Sequence, residues 1–525
     1  MPFIAALVNG TLLELSYCLQ RDCNVEPVDL AHSDGVRIYR RSLTFLMVVA
    51  AHHLFPEIEL FVDHSLPFGG YFCEVHNHEP LTESELAALK QEMYRMMLAN
   101  LPIIREGEIP IEEALAIFRS RGEFDKVGVF QGRDPKKAYL RLYCLDGYRD
   151  YFHGYMVPST GYLRYFDLDF WDDGFILQFP RRYEPTRLQA PIRSPQLKTV
   201  FREYGHWLRL LGTEDVGGLN RAIEEEKIDE VALVAEALHE HRIVDIAHKI
   251  WEKRDHTRLV LIAGPSASGK TTFSKRLAVQ LLAHGLRPFA LELDNYFVNR
   301  DDTPRDENGE YDYEILDALD VDLFNTHLNA LMRGDVVQLP KFNFYTGKRE
   351  PGKTAQLTPD QVIIVEGIHG LNPRLVYSVP DSTLFRIYVS ALTQLNLDRH
   401  NRVPTTDTRL VRRITRDART RGYSAMETIQ RWESVRRGEK RHIFPHQENA
   451  DVMFNSALVY ELSVLRPLVE PLLLQVNRNS RQWVEANRLL TFLQWVQPLD
   501  SSLVPENSIL REFVGGLALE EFSWD

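Results

Sequence analysis

The sequence predicts an α/β chain whose later half is built on a parallel sheet. Three observations carry this. The apolar run Leu259–Ala263 reads as a buried strand, and it leads without a break into Gly264–Thr271 and a helix-forming stretch, Phe273–Ala283. Two further short apolar runs, Phe289–Leu293 and Val362–Val365, read as strands and end in acids, Asp294 and Glu366. Polar, helix-forming segments separate these runs, as βαβ units require.

The turn after the first strand is Gly264-Pro265-Ser266-Ala267-Ser268-Gly269-Lys270-Thr271-Thr272, a complete G-x-x-x-x-G-K-[ST] phosphate loop, or P-loop. Its small residues let successive N–H groups curl around phosphate oxygens, and the following helix offers its positive end. Lys270 is expected to reach the β- and γ-phosphates, and the Thr271 hydroxyl to hold Mg²⁺. ATP and Mg²⁺ are therefore the expected cofactors. Asp294 and Glu366 sit where open α/β sheets bind ligands, at the carboxyl ends of strands. A carboxylate there can orient Mg²⁺ directly or through water. Each acid alone could equally be a cap; in order with the P-loop, the two form a site.

At 525 residues the chain has room for three or four domains. Hydrophobic residues make up 44% and charged residues 26%, as in soluble globular proteins. The net charge of −13 disfavours a general polyanion binder. Cys18, Cys23, Cys73 and Cys144 form no C-x-x-C pair and read as free thiols in a reducing compartment. The opening residues lack a basic n-region and a long apolar core, so no signal peptide is expected. The apolar stretch 457–476 contains Glu461, Arg466 and Glu470 and reads as helix rather than membrane span. A cytoplasmic protein is expected.

Taken in order, residues 1–30 read as a small β-rich piece with an Asn9-Gly10 hairpin. Ser42–Leu54 reads as a helix, Phe61–Val75 as turn and strand, and Thr82–Ala99 as a helix capped by Thr82. Ile111–Arg121 is a further helix. Gly161–Arg182, rich in aromatics, reads as two or three strands around the turn Asp172-Asp173-Gly174. Pro185–Pro195 is a linker. Leu197–Lys253 reads as helices broken at Gly212 and at Gly217-Gly218, bridging the two halves. After Asp451, two helices (457–476 and 480–496) and a loop precede Ile509–Gly516, which is expected to dock back on the body.

The first 180 residues resemble the editing region of threonyl-tRNA synthetases. The likeness lies in VNGTLLEL, IYRRSLTFLMVVAAHHLFP, LPFGGYFCEV, LTESELAALKQEMYRMMLANLPI and EEALAIFRSRGEFDKVGVF. Residues 1–30 are similar to the second half of the family's TGS module. The family's metal-binding His, His, Cys and His positions correspond here to Arg41, Phe45, Phe152 and Met156, none a zinc ligand. The resemblance therefore implies a retired editing fold kept for binding or assembly, with His52, His53, His64 and His153 as scattered core or surface residues.

Residues 256–456 resemble the uridine kinase and phosphoribulokinase family of P-loop kinases. LIAGPSASGKTTFSKRL, LELDNYF, YDYEILDALDVDLF, LPKFNFYTGKR, IIVEGIHGL, RLVRRITRDARTRG and ENADVMFNS occur in the family's order. The whole arrangement resembles bacterial uridine kinase-like proteins: segment 1–30, an α+β editing-like domain (31–184), a helical linker (185–255), the kinase domain (256–456) and a helical tail (457–525). The resemblance implies that Asp294 is the base for the acceptor hydroxyl and that Asp312 holds sugar hydroxyls. It gives Thr271, Asp294 and Glu366 to the metal. It makes Arg413, Arg416 and Arg421 a lid over the phosphates, with Lys270, Arg413 and Arg416 assisting transfer. The acceptor would lie against Asp294, Phe297, Asp312, Phe342, Phe344, Gly347, Ile368 and Arg413.

The departures concern the acceptor. Phe342 and Gly347 stand where pyrimidine nucleoside kinases carry Tyr and His, Phe297 replaces another Tyr, and the lid motif R-G-R-D reads Arg421-Gly422-Tyr423-Ser424. Groups that hydrogen-bond one base are lost, so discrimination for it weakens. The expected activity is ATP-dependent phosphorylation of a nucleoside 5′-hydroxyl or a similar polyol, with uridine not assured. The competing readings are a nucleotide-gated protein binding tRNA through its front half and a sugar-phosphate kinase. No membrane partner is expected, and the tail is available for self-association.

Overall fold

The computed structural model describes residues 2–131, 139–305, 309, 311–343 and 345–522. The later half holds a five-stranded parallel sheet, ordered Arg287–Glu292, Gln361–Glu366, Leu259–Ala263, Leu384–Ser390 and Val452–Asn455. The P-loop strand is thus central, and the chain crosses to either side of it. That makes its carboxyl end the switch point where α/β sheets bind ligands.

Leu259–Ala263 is buried throughout because both faces of the sheet are covered. Val260 and Ile262 pack with Phe273 and Leu277 of the helix Lys270–Ala283. Leu259 and Leu261 face the other way, toward Phe324, Leu328 and Leu331 of the helix Val321–Arg333. Phe273, Leu277 and Leu281 recur every four residues, and all three are wholly buried.

In the front half, four antiparallel strands are ordered Glu59–Leu66, Gly70–His76, Gly174–Gln178 and Asp167–Trp171. The helices Ser33–Leu54 and Glu83–Ala99 share a core with them. Thr82 and Glu85 form a reciprocal capping box at the start of the second helix. Asn9 and Gly10 take φ 49° and 79°, the two positive values of a tight hairpin turn joining Ala5–Val8 to Thr11–Glu14.

The bridging segment is three helices, Pro195–Leu210, Val216–Glu224 and Ile228–Glu252. The expected break at Gly212 is present, with φ 63°. The break expected at Gly217-Gly218 is corrected: these glycines lie in the first turn of Val216–Glu224, and the chain turns at Glu225–Lys227 instead. They are glycines because the helix Phe124–Gln131 lies hard against them; a Cβ on Gly217 would collide with the Asp125 carbonyl, and one on Gly128 would stand 3.0 Å from Gly217 Cα. Among the described residues, no helix is long and apolar enough to cross a membrane.

The two halves meet through the loop from Ala391 to Pro404, which leaves the fourth parallel strand and is almost wholly buried. A buried loop must find partners for its backbone. Val62 N donates to Arg399 O (2.9 Å), Val216 N to Asn396 O (2.9 Å) and Arg399 N to Asp125 Oδ2 (2.8 Å). Beneath it Lys126, fully buried, reaches Asp150 Oδ1 (2.5 Å) and Glu123 Oε2 (3.1 Å), while Asp150 Oδ2 lies 2.9 Å from His400 Nδ1. Burial alone would lower the Lys126 pKa, but Asp150 and Glu123 more than reverse this. Lys126→Met removes the buried ammonium between Asp150 and Glu123 and leaves Arg121 as their cationic partner, with His400 beside Asp150. It is expected to lower the unfolding free energy by about 3–5 kcal/mol in denaturant titrations, and an unchanged midpoint would refute this reading of the junction.

Candidate functional site

At the end of the central strand, a Cβ on Gly264 would collide with the Val389 carbonyl oxygen of the neighbouring strand. Gly269 caps the helix Lys270–Ala283 with φ 81°. Ala267 takes φ 57°, a left-handed conformation that costs a residue with a Cβ. Side chains from far along the chain hold the loop. Ser266 N donates to Glu439 Oε1 (3.0 Å), and Ser266 Oγ accepts from Arg413 Nη1 (2.8 Å). Arg409 Nε donates to Ser266 O (2.9 Å) while its Nη2 pairs with Glu439. Ser456 Oγ donates to Ser268 O (2.5 Å), and Arg412 is bound by Glu461 (2.5 Å) and Ser456 O (2.8 Å). Arg409 and Arg412 are buried, so their carboxylate partners are obligatory.

Lys270 Nζ lies 3.8 Å from Glu366 Oε1 and donates to Pro265 O (3.4 Å). The Thr271 hydroxyl donates to Glu366 Oε2 (3.2 Å). Enclosure lifts the Glu366 pKa to about 7; Lys270 opposes this, while Asp294 and Glu512 add to it. Asp294 follows its strand in a single 3₁₀ turn, Leu293–Tyr296, and opens to the cleft. Its pKa is raised by the enclosing protein and by Glu292, against the pull of Lys270 and Arg421. Asp294, Glu366 and Lys270 thus act on one another across one cleft, and Arg421 reaches Asp294. The Thr271 hydroxyl and the Glu366 and Asp294 carboxylates are hard oxygen donors, and a carboxylate whose pKa is raised by a second one beside it, as Asp294 raises Glu366, suits a divalent cation such as Mg²⁺.

The helix Thr405–Thr420 brings the cations. Asp417, buried, gathers Arg413 (3.2 Å), Arg416 (3.5 Å) and Arg421 (3.4 Å) around one carboxylate. This hub is absent from the sequence reading, as are Glu439 and Glu314. Burial lifts Glu314 to about 7; Glu439 and Asp312 add to this, and Arg413 and Lys270 oppose it. Asp312 Oδ1 accepts from Glu314 N (3.0 Å), so Asp312 shapes the turn from which Glu314 acts on Lys270 and Arg413.

The residues expected around the acceptor are only partly brought together. Phe297 and Phe342 meet edge to face, centroids 5.7 Å apart, and Phe342 N donates to Asn295 Oδ1 (3.1 Å), a polar side chain the sequence reading missed. Gly347 takes φ 70° between the strands Val337–Asn343 and Lys348–Ala355, with its N–H on Asn343 O (2.7 Å). A Cβ there would stand 2.8 Å from the Arg300 side chain, so local geometry also selects glycine. Ile368 packs against the cluster of Ala263, Leu371 and Tyr388. Phe344 lies outside the described residues.

The C-terminal segment also reaches the loop. Glu512 Oε2 accepts from Thr272 Oγ1 (3.1 Å) and from Thr272 N (3.4 Å), one of the helix's free N–H groups. Glu512 Oε1 lies 3.4 Å from Arg416 Nη1. Arg419 Nη2 donates to Glu512 O (2.9 Å), and Lys275 Nζ to Leu519 O (2.7 Å) and Glu520 O (2.8 Å). Docking of this segment was expected, but its delivery of a carboxylate to the loop was not.

Comparison with known proteins agrees with both resemblances. Residues 259–463 match the model of the Phosphoribulokinase / Uridine kinase family. The N-terminal region is similar to threonine–tRNA ligase of Symbiobacterium thermophilum, 32% identical over 165 residues, which is 31% of this chain and 25% of that protein. The chain thus spans about a quarter of the length of the curated relatives it matches. Among solved structures, one described as a fructose transport system kinase from Silicibacter sp. TM1040 is 20% identical, covering 40% of this chain and 98% of that one (TM-score 0.30). Phosphoribulokinase from Rhodobacter spheroides is 17% identical, covering 38% and 70% (TM-score 0.27).

Glu512 occupies two donors, Thr272 N–H and Arg416, of the kind that bind phosphate. Glu512→Ala is expected to tighten binding of a non-hydrolysable ATP analogue about tenfold in calorimetry, the weight of one charge-assisted hydrogen bond. Weaker binding would make Glu512 a brace rather than a competitor.

Proposed function

We propose that this chain is an ATP-dependent, Mg²⁺-assisted kinase that phosphorylates a hydroxyl of a ribonucleoside, the 5′-hydroxyl, or of a closely similar polyol. One observation carries the reading: Lys270, the Thr271–Glu366 pair and Asp294 act on one another at the ends of adjacent parallel strands. A loop that only senses nucleotide has no use for an acid at the acceptor position.

In this reading the P-loop N–H groups and Lys270 hold the terminal phosphates, and Arg413 and Arg416 neutralise charge as transfer proceeds. The acceptor oxygen bonds to the γ-phosphorus, the bond from that phosphorus to the β,γ-bridging oxygen breaks, and ADP leaves. The acceptor's proton goes to Asp294, whose raised pKa suits a carboxylate that must take a proton. A divalent cation held by Thr271 and Glu366, with Asp294 beside them, would supply charge neutralisation between the phosphates. Asn295 and the Phe297–Phe342 pair would bound the acceptor.

The front half is read as a retired editing fold. Phe45 and Phe152 pack with centroids 5.2 Å apart, Met156 is buried beside them, and Arg41 Nη1 donates to Tyr155 O (2.5 Å). Those positions supply packing and a cation where the resemblance would have metal ligands.

Screening nucleosides and phosphorylated sugars for acceptor-dependent ADP release tests the proposal. Lys270→Ala and Asp294→Asn are each expected to cut turnover by about 10²–10⁴, with Asp294→Asn still binding ATP. No acceptor that stimulates ADP release above the Lys270→Ala background would end the kinase reading.

A further inference from the structure

A second cationic cluster lies where the front half meets the helix Ala425–His442. Arg40 comes from the helix Ser33–Leu54, Arg181 and Arg182 from the segment after Gly174–Gln178, and Arg436 and Lys440 from successive turns of Ala425–His442. The Arg40 guanidinium lies 4.4 Å over the Phe179 ring, and the Arg181 side chain passes close to Gly69. Arg182 Nε donates to Ala31 O (2.9 Å) and its Nη2 pairs with Glu433 of the helix. Lys440 Nζ stands 4.7 Å over the Tyr183 ring.

Carboxylates do not balance this cluster. Glu433 serves Arg182, and Glu184 acts on Arg181. The acids acting on Arg436 are shared with other cations: Glu433 with Arg182, Glu439 with Arg409, Asp407 with Arg488, and Glu485 with Arg37 and Arg488. Arg40 hydrogen-bonds Tyr71, but its Nε is buried without an acceptor. Lys440 is held down at about 7, first by the burial of its surroundings and then by Arg436, Arg40, Arg181 and Arg182. Lys440 is exposed and the four arginines are half-buried, so the seam opens to solvent on one side. Mutual repulsion of this kind costs stability in the free protein, and a multiply charged anion relieves it.

We propose that this seam is a second binding site, separate from the P-loop, for a small phosphate-bearing anion held by Arg40, Arg181, Arg436 and Lys440. Arginine forks and a lysine ammonium contributed by three neighbouring elements are the groups that bind a diphosphate's oxygens. The occupant would sit on the helix that carries Glu439, whose carboxylate holds the P-loop at Ser266 and Arg409. The site stands independently of the kinase reading.

The test is calorimetric titration of the full chain with inorganic pyrophosphate at pH 7, in two buffers of different ionisation enthalpy. Wild type is expected to bind two equivalents and Lys270→Ala one. For the remaining equivalent, the net proton change should be shifted toward uptake relative to Lys440→Met, because an anion raises the Lys440 pKa while the bound pyrophosphate itself releases protons. Lys440→Met, at an exposed position and structurally mild, should weaken that equivalent about tenfold and remove the Lys440 contribution to the proton change, and Arg436→Met should weaken it similarly. ADP binding this site more tightly than pyrophosphate would identify a nucleotide as the source; equal affinity would identify the diphosphate alone. A single equivalent lost entirely in Lys270→Ala overturns the proposal, as does a second equivalent indifferent to Lys440→Met and Arg436→Met. Salt-sensitive tRNA binding removed by these substitutions, with no pyrophosphate binding, overturns it too.

Discussion

The contact between residue 264 and Val389 governs the phosphate cleft. The chain leaves the central strand so close to its neighbour that there is no space for a Cβ. This close approach sets the loop on the sheet's switch point, and the helix Lys270–Ala283 must begin there. Once the loop is fixed, Lys270 and Thr271 have one direction to face, and the adjacent strand ends supply Glu366 and Asp294. Buried arginines then hold the loop from beneath. Arg409 and Arg412 spend their charge on Glu439, Glu461 and carbonyls of the loop region, which keeps the fold from leaving buried cations unpaired.

The same helix illustrates how packing divides one basic run into two roles. Arg409 and Arg412 point into the body and are almost wholly buried, whereas Arg413 and Arg416 reach Ser266 and Glu512 at the cleft. Asp417 holds three arginines that would otherwise repel one another. The cleft is therefore neither simply basic nor simply acidic. Glu366 and Glu314, both lifted to about 7, sit among cations that favour their ionised forms and acids that oppose them. A charged ligand changes this balance more than it would at an exposed surface, because the groups already act through low-dielectric protein.

What the sequence disclosed follows from range. The strand, P-loop and helix at 259–283 are encoded within twenty-five consecutive residues, and the Asn9-Gly10 hairpin and the Thr82–Glu85 capping box within fewer. Asp294 and Glu366 were legible because strand ends predict them. The partners of these groups were not. Glu439 meets Ser266 across 173 residues of chain, and Glu512 meets Thr272 across 240. No local pattern marks either acid. Glu314, in the quoted stretch YDYE, was within reach of a closer reading. The pair Gly217-Gly218 misled for the opposite reason: glycines that look like a break serve instead to let two helices touch.

The buried loop 391–404 decides how independent the two halves can be. It runs from the fourth parallel strand into the helix that carries Arg413 and Arg416, and along the way it is bonded to Val62, Asp125, Asp150, Tyr151 and His153 of the front half. A flexible tether would leave these groups solvated and the halves free to tumble. Here, moving the front half relative to the sheet either drags the start of that helix with it or breaks the buried hydrogen bonds and ion pairs of the loop, Arg399–Asp125 among them. The front half is therefore mechanically part of the phosphate cleft, whatever ligand it has kept or lost.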